Sequence, residues 1–214
     1  MVKFKSECLQ KACKRVGKRP TVIDVGAYNG KVAKKIIKAC PGADLYAIEA
    51  CPRNFVEVEK RVKKAYWCAI GDTTGEIEFN VTDVPHKDGS SESNSIYEGA
   101  LGRPNMGETK KVTVSMLTLD DFIERNNIAK VDLLKSNCEG GEYKIFEAPT
   151  FNWLDITKVV CMSFHAKIPF FNTEEYAKKR IKIYSILEEK GFKIIVGKKK
   201  KTSSKHIDTL WVKK

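Results

Sequence analysis

Apolar and polar positions along the chain change period several times, and each change marks an element. Thr21-Val-Ile-Asp-Val25 is a β-branched run closed by Gly26, the pattern of a strand buried on both faces. Residues 30–39 instead put Val32, Ala33, Ile36 and Ile37 on one face, which is helical spacing, and Pro41 and Gly42 end that helix. Residues 43–48 read as the next strand, Pro52 as the first residue of a helix carrying Phe55, Val58 and Val62, and residues 65–70 as a third strand. Strand, helix, strand, helix, strand is the order of parallel βαβ units.

The middle of the chain follows another rule. Residues 76–81 and 111–115 alternate apolar with polar, as half-exposed edge strands do. Between them, residues 82–108 are rich in Ser, Gly, Asn, Asp and Pro and have little periodicity. Loops beyond about 12–15 residues are uncommon in compact domains and usually functional, so 82–108 is expected to be a lid or acceptor-binding loop. Thr118 then caps a short helix, with Asp121 at its third position. Residues 131–135 and 158–164 read as strands flanking a helix over 139–147. A long helix follows from Thr173 to Gly191, with Ala177, Ile181, Tyr184 and Leu187 on its apolar face. Residues 192–196 and 207–212 form a terminal pair around a lysine-rich turn. The expectation is a single α/β domain over 1–214: one doubly wound, mostly parallel, seven-stranded sheet with helices on both faces and a C-terminal antiparallel hairpin. An amphipathic helix within residues 1–19 should precede it.

Composition narrows the class. Hydrophobic residues make up 42% and charged residues 31% of the 214, a globular mixture rather than a disordered one. No stretch approaches the roughly 18–20 uncharged apolar residues of a membrane span, and the lysine-bearing start lacks the apolar core of a signal peptide. The seven cysteines are odd in number and form no C-x-x-C pair, so reduced thiols and a cytoplasmic setting are expected rather than a disulfide frame or zinc site. The net charge of +12 raises nucleic acid as a partner, but most of it is lysine scattered along the chain. The run Lys198–Lys201 sits between two strand-like segments, so a solvated turn is preferred to a phosphate patch.

Ligands of open parallel sheets bind at the carboxyl ends of strands where the strand order reverses, and the ends of the first three strands carry suggestive residues. The first end is Asp24-Val-Gly26-Ala27-Tyr28-Asn29-Gly30. Its glycines let backbone approach a ligand, and the following helix offers free N–H groups. A dinucleotide fold would place G-x-G-x-x-G here to seat a pyrophosphate. Asp24 would repel a pyrophosphate but pair with a cationic amine, which favours an amino-acid-bearing cofactor over NAD. Glu49 ends the second strand nineteen residues after Gly30, where such folds hydrogen-bond ribose hydroxyls. Gly71-Asp72 follows the third strand, and Asp72 is either an adenine contact or an ordinary turn residue.

Further on stands Val131-Asp-Leu-Leu-Lys135-Ser-Asn137-Cys-Glu139-Gly140-Gly141-Glu142. It resembles the signature of the FkbM-type methyltransferases, D-L-L-K-I-D-V-E-G-A-E, and the likeness runs in order from about Thr21 to Lys167. Here Asn137 replaces the usual Asp and Ser136 an apolar residue. The resemblance implies a Rossmann-like methyltransferase fold, S-adenosylmethionine bound at the three strand ends with Asn137 beside it, and transfer to a hydroxyl oxygen, most often of a sugar or glycan. Such a transfer needs a group to take the hydroxyl proton. His165, after a strand end, is expected to be that base because a free imidazole titrates near pH 6.5. Glu139 is the other candidate base or acceptor-hydroxyl contact, and Asp83 and Asp88 in the long loop come next. Alternatively, Glu139, Asn137 and His165 hold a Mg²⁺ or Mn²⁺ ion that acidifies the hydroxyl. Two further readings stay open: an RNA or other polyanion methyltransferase, and a non-catalytic cofactor-binding protein of the same fold.

Overall fold

Three of the five residues of β1 (Thr21–Val25) are apolar and four are buried, and in the computed structural model the strand lies near the middle of the main sheet. The structure describes residues 6–82, 94–97, 109–166, 168–197 and 207–214. Among these, α1 (Glu7–Arg15) precedes β1, and α2 (Lys31–Ala39), β2 (Asp44–Glu49), α3 (Pro52–Glu59) and β3 (Lys64–Trp67) follow as parallel units. Chain direction across the sheet then reverses. The strands β7 (Val131–Ser136) and β8 (Thr157–Phe164) build outward on the other side of β1. The hairpin strands β9 (Phe192–Val196) and β10 (Ile207–Lys213) complete the order β3-β2-β1-β7-β8-β10-β9, with β10 antiparallel to both its neighbours. This is the expected seven-stranded, mostly parallel sheet.

Two local expectations are corrected. The third strand, read as 65–70, breaks at Cys68. Its first half is β3, while Ala69–Ile70 forms β4 in a separate three-stranded sheet with β5 (Gly75–Thr82) and β6 (Thr109–Leu117). The alternating segments therefore pair with one another, because a strand polar on one side cannot enter a sheet covered on both faces. The helix read as 139–147 shortens to α5 (Gly141–Ile145), since Glu139 (φ 50°) and Gly140 (φ 98°) are left-handed and cannot begin it.

Both faces of the main sheet are covered. α1, α2 and α3 bury Leu9, Ala12, Ala33, Ile36 and Val58 against Val22, Ala47 and Leu133. On the opposite face, α4 (Leu119–Arg125), α5 and α6 (Glu174–Glu189) enclose Phe122, Tyr143, Tyr184 and Leu187 with Ile23, Leu134 and Trp211. Thr118 accepts a hydrogen bond from Asp121 N and Thr173 one from Tyr176 N, so both expected caps form. None of the seven cysteines is in a disulfide. No helix among the described residues is long and apolar enough to cross a membrane. The turn at 198–201 and, apart from 94–97, the loop residues beyond Thr82, with Asp83 and Asp88, lie outside the described residues.

Candidate active site at the switch point

The strand order reverses between β1 and β7, and the loops leaving these two strands touch. Asn137 N donates to Val25 O at 3.1 Å. Gly26 has a φ of 73°, and a Cβ on it would stand 2.3 Å from Asn137 O, so only glycine fits on both counts. Gly26 N and Ala27 N both donate to Ile48 O at 3.0 Å, which ties the loop to β2 as well. Tyr28 (φ 55°) and Gly30 (φ 72°) turn the chain into α2, while Asn29 Oδ1 accepts from Lys31 N.

Beneath this loop lies a buried ion pair. Asp24 is fully enclosed, and the Lys135 ammonium stands 2.7 Å from its Oδ1. The same ammonium donates to Gly26 O at 2.8 Å and reaches Val25 O at 3.4 Å. Burial pushes the Asp24 carboxyl up, and the lysine pulls it back down.

Glu49, 7% exposed, ends β2 with both carboxylate oxygens engaged. Oε2 accepts from Tyr28 N at 2.8 Å; Oε1 accepts from Cys51 N at 2.9 Å and reaches Asn54 Nδ2 at 3.5 Å. Burial pushes its pKa up to about 7, against the pull of these donors. Each oxygen has further acceptor capacity for a ligand hydroxyl. The carboxyl fixes the first loop from the β2 side as Lys135 fixes it from the β7 side.

A third group surrounds the turn after β7. Glu142 accepts from Cys138 N at 2.7 Å and from Gly140 N at 2.9 Å, folding the turn around its own carboxylate. His165, 1% exposed, lies between two acids, with Nε2 3.3 Å from Glu139 and Nδ1 3.5 Å from Glu142. Burial alone would lower its pKa, but the two carboxylates outweigh that and push it up to about 10. Gly140 leaves no room for a side chain, because a Cβ there would meet the Phe171 ring at 2.0 Å. Ser95 Oγ, from the described piece of the long loop, donates to Glu139 O at 2.8 Å.

These elements border a cleft of about 370 Å³, the size of a small-molecule site. Gly26, Ala27, Tyr28, Glu49, Asn137 and Glu139 line it, as do Cys68, Ala69, Ile70, Asn94, Ile96 and Lys135. Two comparisons then place the molecule among known proteins. The model of the methyltransferase FkbM domain matches residues 24–194. The chain belongs to the FkbM methyltransferase family. No curated protein matches the sequence. Among solved structures, the methyltransferase FkbM of Methylobacillus flagellatus superposes with a TM-score of 0.52 at 12% identity, covering 91% of this chain and 44% of that one. The present chain thus spans less than half of that protein's length. The Methanococcus jannaschii fibrillarin pre-rRNA processing protein (TM-score 0.51, 14% identity, 92% and 68% covered) shares the fold. So does a Clostridium thermocellum protein assigned as an rRNA methylase (0.52, 11%, 99% and 97%).

Within this family framework, several expected residues occupy different positions from those anticipated. Asp24 pairs with Lys135 and does not line the cleft. Asp72 pairs with Lys144 of α5 at 2.7 Å, and neither it nor Gly71 borders the cleft. Cys68, Ala69 and Ile70 take that wall because the break in the third strand turns them inward. His165 does not line the cleft, and the carboxylates on either side of it push its pKa up, favouring the protonated imidazole. Among the described residues no group of three or more His, Cys, Asp or Glu is placed to hold a metal ion. Sequence reasoning missed Lys135, Glu142 and Ser95. A lysine closing the apolar run Val131-Asp-Leu-Leu was the one available signal, since buried lysines require a partner.

Proposed function

We propose that the chain binds S-adenosylmethionine in this cleft and transfers its methyl group to a hydroxyl oxygen of a sugar or glycan. The observation that carries this reading is the joint placement of Glu49 and Glu139 on one cleft at the switch point. The bound cofactor supplies an electrophilic methyl on a sulfonium. Glu49 accepts from ribose hydroxyls, and the backbone of Gly26–Tyr28 lies close because Gly26 has no side chain. Glu139, with 27% of its side chain exposed, receives the proton of the acceptor hydroxyl, while the His165 cation holds its carboxylate in place. Asn137, in place of the usual acid, offers amide contacts without a charge. The acceptor oxygen must stand about 3–3.5 Å from the methyl carbon, so this positioning is the main contribution of the protein.

A screen of radiolabelled methyl transfer over sugars, glycans and RNA tests the reading. Cofactor binding without turnover on any acceptor would point to a binding protein. Transfer to RNA is the second reading, favoured by the net charge of +12 and by the RNA-related names of two fold neighbours.

Glu49→Ala should weaken S-adenosylhomocysteine by about 1–3 kcal/mol in calorimetry, with no NAD binding in either protein. Because burial holds the wild-type carboxyl near pH 7, affinity should rise from pH 6 to 8 as the acceptor form fills. A flat profile would remove Glu49 from the ribose. Residues 82–108 should act as an acceptor-binding lid, with Asn94 and Ile96 already on the cleft wall. Shortening residues 98–108 should then reduce turnover and leave cofactor affinity intact; equal loss of both would make the loop structural.

A further inference from the structure

The two helical faces of the main sheet differ in how they manage charge. On the α6 face most lysines meet acids, Lys178 with Glu174 at 3.2 Å, Lys179 with Glu147 at 3.0 Å and Lys190 with Asp155 at 2.8 Å, while Lys182 stands exposed without one among the described residues. On the other face, Lys14, Lys34, Lys35 and Lys38 are exposed and form no ion pair among the described residues, as is also true of Lys18 and Arg19 in the turn between α1 and β1. α2 contains no acid, and the one acid of α1, Glu7, is taken by Lys11 at 2.6 Å. The two helices adjoin, since Cys40 Sγ at the end of α2 donates to Cys13 O in α1 at 3.8 Å. α3, which completes the face, is nearly balanced, with Glu57 held by Lys60 and Arg61.

At the β3 edge of this same face stands an aromatic pair. Ala65 packs under α3, so Trp67, two residues on, points the same way. Its ring lies against Phe55 of α3, with centroids 6.3 Å apart and planes 23° apart, and Trp67 is 51% exposed. Trp67 Nε1 donates to Ala50 O at 3.0 Å, which fixes the ring's direction. From β3 to β8, over which α1 packs, is four strand spacings, or about 19 Å.

We propose that this face docks a single-stranded nucleic acid, whose phosphates run over α2 and α1 and one of whose bases stacks on Trp67. Phosphate neutralisation by unpaired lysines supplies affinity, and a fixed exposed ring supplies a stacking platform for any base. An anionic membrane surface fits less well. Helices that lie on membranes insert an apolar face, and the apolar faces of α1 and α2 are buried in the core, Ile37 being the one large apolar side chain exposed on them. An acidic protein would match the lysines but gives the Trp67 platform no role. The proposal deepens the RNA reading above, yet it is read by binding alone, so it and methyl transfer fail separately.

The test is fluorescence anisotropy of the full chain with a labelled, unstructured RNA of about 20 nucleotides, titrated between about 50 and 200 mM salt. The wild type should bind, with affinity falling steeply as salt rises. The triple variant K34E/K35E/K38E should lose at least about 30-fold at the lower salt, and its salt slope should shrink by about 2, since each single-strand phosphate contact contributes about 0.7. Trp67→Ala should weaken binding about tenfold with the slope unchanged, and Trp67→Phe should restore most of it. Both changes lie outside the cleft, so calorimetric affinity for S-adenosylhomocysteine should stay at the wild-type value and report intact folding. Absence of wild-type binding, or an unchanged triple variant, overturns the proposal. So does heparin or an anionic phosphatidylserine vesicle binding as tightly as RNA with no effect of Trp67→Ala, because the surface would then be a generic polyanion or membrane contact.

Discussion

Replacing Lys135 with methionine is expected to destabilise the fold by about 3–5 kcal/mol, the cost of leaving a buried charge without its partner. Asp24 has no solvent to turn to, being fully enclosed, and the ammonium at 2.7 Å is its counterion. Gly26 and Val25 would lose the donor to their carbonyls in the same step. At about 2–4 °C per kcal/mol for a chain of this size, the melting temperature should drop by roughly 6–20 °C. The double variant D24N/K135M should recover a large part of that loss, because an amide can be buried without a counterion. Melting within about 2 °C of wild type for Lys135→Met would mean that the pair carries little of the structure.

The second large effect is on turnover. Glu139→Gln keeps the shape of the side chain and removes its proton affinity, so turnover should fall by at least about 10²-fold while S-adenosylhomocysteine still binds. His165→Gln should lower turnover through misplacement of Glu139, with cofactor affinity again retained. The pH profile separates the two roles. With its pKa raised from 6.5 to about 10, His165 adds stability that is fully present below pH 6.5 and is lost as the pH rises through about 10. The wild-type rate should therefore show no loss on acidification that belongs to His165, and should decline on the alkaline side as the clamp discharges. A rate that falls below pH 6.5, with that limb abolished in His165→Gln, would restore the imidazole as base. Loss of activity to a chelator, with recovery by Mg²⁺ or Mn²⁺, would instead move proton removal to a metal.

Much of this molecule follows from local sequence alone. The buried run 21–25, the helical stripe Val32-Ala33-Ile36 and the caps at Thr118 and Thr173 determined their elements, since period and capping act within a few residues. Their order determined the parallel sheet, and because a βαβ unit places strand ends together, Glu49 and Gly26–Tyr28 border the cleft, though Asn29 and Gly30 do not. Side-chain partners were another matter. Asp24 and Lys135 are 111 residues apart in number, and nothing local says that the lysine rather than a ligand neutralises the acid. His165 was assigned a free imidazole's chemistry, and only packing places it between Glu139 and Glu142, whose carboxylates push its pKa up. Asp72 likewise met Lys144, and the strand 65–70 split between two sheets, because long-range pairing chose among conformations that local propensity left equal. Elements are decided by neighbours in sequence, whereas charges and proton affinities depend on which groups burial places within a few ångströms of one another.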